Sequence, residues 1–223
     1  MKVCVAKFGD ANVLMMIFER LDRGLFSVDI GNLRKFVLDE VLPQAGPPTM
    51  LGQYFGGWSV WSSNGEIQDG WQRGELRYAA TTPEQRQSLE IQSGILPSRA
   101  YRVPTPICRG PLADAMMQIR ALGLEPSRAR LSLLKAQGRS TRHRDAQDDE
   151  YCVRLHVPIM TSEAAVFACD EGEAHLPADG SAYLLAVNRW HQVFNRADTD
   201  RLHLIMNVVD RPGVSRFHRW EPR

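Results

Sequence analysis

Four side chains in the second half of this chain stand at spacings that chemistry can use. His143 and Asp145 flank Arg144 in an H-x-D pair, His191 follows 46 residues after Asp145, and Arg201 comes ten residues after that. Two imidazoles and one carboxylate on one face of a metal form the ligand set of non-haem iron(II), leaving positions for a bidentate keto acid and dioxygen. An arginine offers a planar fork that grips a carboxylate through two parallel hydrogen bonds, so Arg201 suits the far carboxylate of that keto acid. Arg154-Leu155-His156 adds to the set. Residues two apart on a strand point the same way, so Arg154 and His156 face one side together. Two polar side chains turned inward are costly unless a charged partner meets them, and a keto-acid or substrate carboxylate would do so.

The elements that must position these residues are short β runs. From about residue 128 the pattern predicts strands over Arg130–Gln137, Tyr151–Ile159, Ala165–Cys169, Ser181–Val187 and Arg201–Val209. Gly138, Asp170-Glu171-Gly172, Asp179-Gly180 and Asn195-Arg196 punctuate them. Strands at this spacing with no helices between them point to an antiparallel sandwich or jelly roll. Residues 1 to about 125 read differently, mixing helices with Gly- and Trp-rich stretches. Asn32 is placed to cap a helix carrying Leu33, Phe36, Val37 and Val41. Thr82-Pro83-Glu84 opens a second helix, and Pro111 a third, whose Leu112, Ala115, Met116, Ile119 and Leu122 share a face before Gly123. The expected organisation is one structural domain: a helical, substrate-covering region over 1–125 and a β core over 126–223.

Bulk composition narrows the function classes. The chain has 223 residues, 43% apolar and 24% charged, which suits one domain with an ordinary core. Its 27 basic residues balance 26 acidic ones to a net charge of +1, with no basic stripe, so nucleic acid is not an expected partner. The apolar stretches, such as Val13–Phe18, are too short to cross a bilayer, and the first residues lack the apolar core of a secretory signal. Cys4, Cys108, Cys152 and Cys169 form no CxxC pair, which argues against a disulfide framework and for a cytoplasmic protein with reduced thiols.

The stretch from Arg130 to Asp210 resembles the aspartyl/asparaginyl β-hydroxylase family, which includes bacterial hydroxylases of free proline. The residues that carry the likeness are Ser132, His143-Arg144-Asp145, Arg154–Ile159, Asn188, His191-Gln192-Val193-Phe194-Asn195 and Arg201-Leu202-His203-Leu204-Ile205, in the family's order. The resemblance implies a mostly β chain with a double-stranded β-helix (jelly roll, cupin-like) and N-terminal helices packed outside it. It also implies iron(II), with 2-oxoglutarate as cosubstrate and O2 as oxidant. By the same match, His143, Asp145 and His191 hold the metal, and Ser132 and Arg201 hold one carboxylate of 2-oxoglutarate. His156 and Arg154 reach its other end or the substrate. Peptide-hydroxylating animal members lack the metal-binding carboxylate and related halogenases carry a small residue there. Asp145 therefore places this chain with the bacterial small-molecule hydroxylases. Gly57-Trp58-Ser59-Val60 and Asp69-Gly70-Trp71 resemble the segment those relatives lay over the substrate, so Trp58 and Trp71, with Arg144, are candidates for substrate contact. His203 is expected to pack or make a structural hydrogen bond. The expected substrate is a small molecule, an amino acid that is free or carried on a peptide or carrier protein. The alternatives are a lipid or peptide side-chain hydroxylase of the same family, and a cupin-like barrel that binds metal without turnover.

Overall fold

Leu155, Val157 and Ile159 alternate with Arg154, His156 and Pro158 along one strand, and the architecture follows from where the two sets go. The computed structural model describes residues 18–21, 24–69, 96, 98–143, 145, 153–170, 172–187 and 189–209. In chain order its strands are β1 (Phe18–Arg20), β2 (Thr49–Met50), β3 (Phe55–Ser59), β4 (Trp61–Ser62), β5 (Val103–Pro104) and β6 (Glu125–Leu134). They continue with β7 (Gly138–Arg139), β8 (Val153–Met160), β9 (Ala165–Cys169), β10 (Gly172–His175), β11 (Tyr183–Ala186), β12 (His191–Asn195) and β13 (Arg201–Val209). A larger sheet runs β1-β11-β8-β13-β6-β3-β2 and a smaller one β10-β9-β12-β7, with every pairing antiparallel. This is the mostly β, double-stranded β-helix architecture expected from the sequence.

The outward set of the larger sheet is apolar. Leu155, Val157, Ile159, Leu202, Leu204, Met206, Leu131 and Trp58 form one buried cluster with Leu33, Phe36, Leu112, Met116 and Ile119 of the helices. Burying each such side chain contributes about 2 kcal/mol. The helices α1 (Ile30–Phe36) and α3 (Gly110–Ala121) therefore cover the outside of the sheet, while the polar set faces the smaller sheet. From α1 the chain runs through a π-helical turn, Val37–Val41, into α2 (Leu42–Ala45). Pro43 explains the wide turn, because it has no N–H to give the preceding turn and its ring needs room there.

Two register shifts adjust the larger sheet. On β6 an extra residue lies between the pairs Ile205↔Arg130 and Asn207↔Ser127, with Arg128 at a positive φ of 52°. On β8 another lies between Leu202↔Met160 and His203↔Pro158, and Arg34 on α1 donates to the Ile159 carbonyl there at 2.8 Å.

Several expectations are corrected. Asn32 does not cap α1: Asp29 does, its Oδ1 accepting from the Asn32 N–H at 3.0 Å, and Asn32 lies one turn inside. The strand expected over Arg130–Gln137 begins five residues earlier and stops at Leu134, since Gln137 takes a left-handed φ of 55° and turns the chain. β10 and β12 were not expected; their sequences are polar, and they form because each pairs with the apolar β9. Nor is the N-terminal half only helical, since β1, β2 and β3 complete the larger sheet. The helix expected at Thr82-Pro83-Glu84 lies outside the described residues.

Replacing Asp29 by Ala is expected to cost about 1 kcal/mol of stability, while Asn32→Ala stays within about 0.5 kcal/mol, as urea unfolding of the two variants will measure.

Candidate metal and anion site

His191 opens β12, and its backbone pairs with His143 through two hydrogen bonds, His143 N to His191 O at 2.9 Å and His191 N to His143 O at 2.7 Å. Asp145 is fixed by its own N–H, which donates to Val187 O at 2.9 Å. Residues 48 apart in sequence are thus held together by main chain, and the imidazole and carboxylate donor atoms of all three lie within 4.8 Å of one another.

Each histidine is oriented by a carbonyl two residues before it. His143 Nδ1 meets Thr141 O at 2.8 Å, and His191 Nδ1 meets Arg189 O at 2.8 Å. A carbonyl only accepts, so both Nδ1 atoms carry a proton, which leaves Nε2 of each ring as the atom that can ligate a metal. Phe167 stacks on the His191 ring at 5.1 Å and shields it. Burial pushes the His191 pKa down to about 4, more than the neighbouring Asp145 raises it, so the ring is neutral at physiological pH. For Asp145, burial raises the pKa, but Arg154, His191, His143 and Arg130 together outweigh it and hold the group below the ordinary carboxylate value. Arg154 Nη2 stands 2.6 Å from Asp145 Oδ2, at an angle outside hydrogen-bond geometry, while Oδ1 faces His143 Nε2 at 3.8 Å. Two imidazoles and an ionised carboxylate converging in this way fit a divalent metal.

Deeper between the sheets lies a cationic floor. Strand alternation turns Arg201, His203 and Asn207 of β13, Arg154 and His156 of β8, and Arg130 and Ser132 of β6 to the same side. Arg201 is 4% exposed, and burial lowers its pKa to about 9, so it remains charged. Its Nη2 donates to His203 Nδ1 at 2.8 Å, which makes His203 Nδ1 an acceptor and puts that ring's proton on Nε2. His156 Nδ1 also lies 3.3 Å from His203 Nδ1. Burial first, then the charge of Arg201, keeps both His156 and His203 well below their usual pKa. The His203 Nε2–H and the Ser132 hydroxyl are buried without a hydrogen-bond partner among the described residues. Such orphaned donors beside a buried guanidinium fit an anion with carboxylate oxygens, as 2-oxoglutarate has.

The structure therefore brings His143, Asp145, His191, Arg154, His156, Arg201 and Ser132 to one interior. Trp58 is not among them. Strand alternation turns it to the outer face, where it is 5% exposed in the apolar core with Nε1 donating to Gly46 O at 2.8 Å. Arg144 and Trp71 lie outside the described residues. Sequence reasoning missed Arg130 and Asn207, while the structural hydrogen bond expected of His203 is the one it accepts from Arg201. The cue was available, since each is a polar residue in a strand whose alternate positions are apolar.

The buried histidines set a pH dependence for the metal-free chain. In the unfolded state His191 takes up a proton near its ordinary value of about 6.5, whereas in the folded state it does so only near 4. The unfolded state thus binds more protons between these values, and stability falls as pH drops through that window. The slope is up to about 1.4 kcal/mol per pH unit for this one group. His156 and His203 add to it with the same sign. Urea unfolding at pH 7 and pH 5 is expected to show the loss, and His191→Gln to reduce its slope by about one proton.

No curated protein sequence matches the chain. Among solved structures, a prolyl hydroxylase from Trichoplax adhaerens, in complex with a hypoxia inducible factor peptide fragment, shares 15% identity over 87% of this chain and 84% of its own at TM-score 0.45. A prolyl-4-hydroxylase from Pseudomonas putida shares 15% over 88% and 94% at TM-score 0.44. An oxidoreductase of the 2OG-Fe(II) oxygenase family from Burkholderia pseudomallei shares 9% over 84% and 81% at TM-score 0.44. These likenesses are too distant to transfer residue roles. The family model described as Aspartyl/Asparaginyl beta-hydroxylase is different in kind, because it matches residues 65–211, about two thirds of the chain, and spans every site residue above. The chain belongs to the aspartyl/asparaginyl β-hydroxylase family.

Proposed function

We propose that this hydroxylase acts on an unactivated C–H bond of an amino acid, free or held on a carrier, in the cytoplasm. His143, Asp145 and His191 hold the iron, and Arg201 with Ser132 holds one carboxylate of 2-oxoglutarate. The observation that carries this reading is the convergence of three metal-ligand donors beside a buried guanidinium and unpartnered donors. His156 and Arg154 meet the keto-acid end or the substrate, and the N-terminal residues up to about 125 cover the substrate.

When bound, iron(II) with 2-oxoglutarate and O2 supplies the oxidising power for C–H hydroxylation, with succinate and carbon dioxide released. The chain supplies position and electrostatics. His143 and His191 turn Nε2 to the metal because their Nδ1 protons are committed to backbone carbonyls, and burial keeps His191 neutral. Arg201, held against His203, meets a carboxylate without reorganising. The neutral His156 and His203 add donor and acceptor capacity without adding charge. A barrel that merely stored metal would have no use for a buried guanidinium and orphaned donors facing the same interior. Asp145 supplies the third ligand, which favours hydroxylation over halogenation.

Incubation with iron(II), 2-oxoglutarate and a panel of amino acids is expected to yield succinate coupled to one hydroxylated product. His143→Ala and Asp145→Ala should each lower succinate formation at least 100-fold, and Arg201→Ala should raise the KM for 2-oxoglutarate at least tenfold. That factor corresponds to about 1.4 kcal/mol, a modest value for a buried charge-assisted contact. Undiminished turnover by His191→Ala in metal-free buffer would rule the assignment out.

A further inference from the structure

Asn207 is wholly buried on β13, and none of the roles assigned above uses it. Its surroundings fix the direction of every hydrogen bond it makes. Arg154 Nε lies 3.3 Å from Asn207 Oδ1, and since arginine only donates, the amide oxygen must face it. The amide nitrogen is therefore turned to Ser98 and donates to its Oγ at 2.7 Å. Ser98 Oγ also lies 3.4 Å from Ser127 Oγ, a contact in which either hydroxyl can donate. At the other end of the guanidinium, Nη2 stands 2.6 Å from Asp145 Oδ2. A continuous polar chain thus runs from Ser98, on a 3-10 turn over Ser98–Ala100, to a carboxylate whose second oxygen faces His143.

An arginine side chain has many rotamers, and its reach to Asp145 is well defined only if its stem is held. Cross-strand pairing puts Asn207 directly opposite Arg154, and the contact with Nε fixes the plane of the guanidinium while leaving the far nitrogens free. With Arg154 on Oδ2, Asp145 has one oxygen left to give. Released from Arg154, it could chelate through both, and the second would take a coordination position that a bidentate keto acid needs.

Resting on the metal site proposed above, we infer that Asn207 is a positioning residue for it. By gripping Arg154 Nε, and being gripped in turn by Ser98, it keeps Arg154 against Asp145 Oδ2, so that Asp145 offers only Oδ1 to the metal and 2-oxoglutarate keeps its place.

The test separates metal binding from cosubstrate binding and needs no turnover. Mn(II) binding to the full chain is followed by the electron spin resonance of the free ion, and 2-oxoglutarate binding to the Mn(II)-loaded chain by calorimetry. Asn207→Ala is expected to bind Mn(II) as tightly as the parent or more tightly, and 2-oxoglutarate at least tenfold more weakly. Asn207→Asp keeps an acceptor for Arg154 Nε and is expected to return to within threefold of the parent. Ser98→Ala, which leaves Asn207 in place, should lose two- to fivefold, and with Asn207→Asp it carries the comparison if Asn207→Ala fails to fold. Unchanged 2-oxoglutarate binding in a folded Asn207→Ala chain overturns the proposal, as does a loss of metal and cosubstrate in step with a loss of Tm. In the metal-free chain, the Arg154 Nε–H resonance should exchange slowly with water in the parent and Asn207→Asp but quickly in Asn207→Ala; equal exchange in all three overturns it too. A parent that binds neither Mn(II) nor 2-oxoglutarate would instead sink the proposed metal site, and the proton-exchange result would still decide whether Asn207 holds Arg154.

Discussion

Period-two alternation along β6, β8 and β13 is the constraint on which the rest of the structure depends. It sends Leu155, Val157, Leu202, Leu204 and Leu131 outward to the helices, and Arg154, His156, Arg201, His203 and Arg130 inward. Taking a guanidinium out of water costs several kcal/mol even after relaxation. Asp145 brings a carboxylate to this inner set, against Arg154 and within the field of Arg130. Such an interior would not form on its own. It forms because the same strands bury an apolar surface on their other side, where each large side chain contributes about 2 kcal/mol. The outer core carries the fold, and the inner face is left free to be costly and reactive.

That cost shows directly in the ionisation states. The arginines keep their charge, so the histidines among them give theirs up: burial and Arg201 together hold His156 and His203 neutral. Neutrality is what makes them useful, because each then carries one donor and one acceptor. At the metal site burial holds His191 neutral, and backbone carbonyls at Thr141 and Arg189 fix the Nδ1 proton and the ring plane of His143 and His191. Both devices leave lone pairs and protons at set atoms before any ligand arrives, which is preorganisation in the sense that matters for charge-developing chemistry.

How much of this was legible in the sequence follows from the range of each determinant. β9 and β13 were read to the residue, because both are bounded by turn formers and filled with strand-forming side chains. The cluster of His143, Asp145 and His191 was legible because a ligand set has a composition as well as a geometry. β12 was not, since His191-Gln192-Val193-Phe194-Asn195 is ordinary as a sequence and becomes a strand only beside β9. Trp58 misled because a tryptophan near glycines suits a pocket wall as well as a core, and only the register of β3 on β6, Trp58 opposite Leu131, decides between them. Asp29 was overlooked as the cap because Asn32 is an equally good capping residue three positions on. The hydrophobic staple would have separated them, since Val28 and Leu33 flank Asp29 at the right positions whereas Gly31 precedes Asn32.

The extra residue in β6 shows why such a site cannot be read one strand at a time. Arg130 pairs with Ile205 and faces inward, so an unbroken ladder would set Arg128 opposite Asn207 and turn Ser127 away. Instead Arg128 adopts φ 52°, a conformation that costs roughly 1–2 kcal/mol for a residue with a Cβ. The shift lifts its guanidinium out to lie 5.3 Å over the Tyr101 ring and brings Ser127 opposite Asn207. A fourth guanidinium on the inner face beside Arg154 is thereby avoided, and a hydroxyl takes its place next to Ser98 and Asn207. The same backbone turn donates Arg128 N–H to Tyr101 O at 2.8 Å, which ties the 98–101 segment to the sheet. One inserted residue thus sets the charge of the inner face, seats Ser98, and offsets its strain through the contacts it creates.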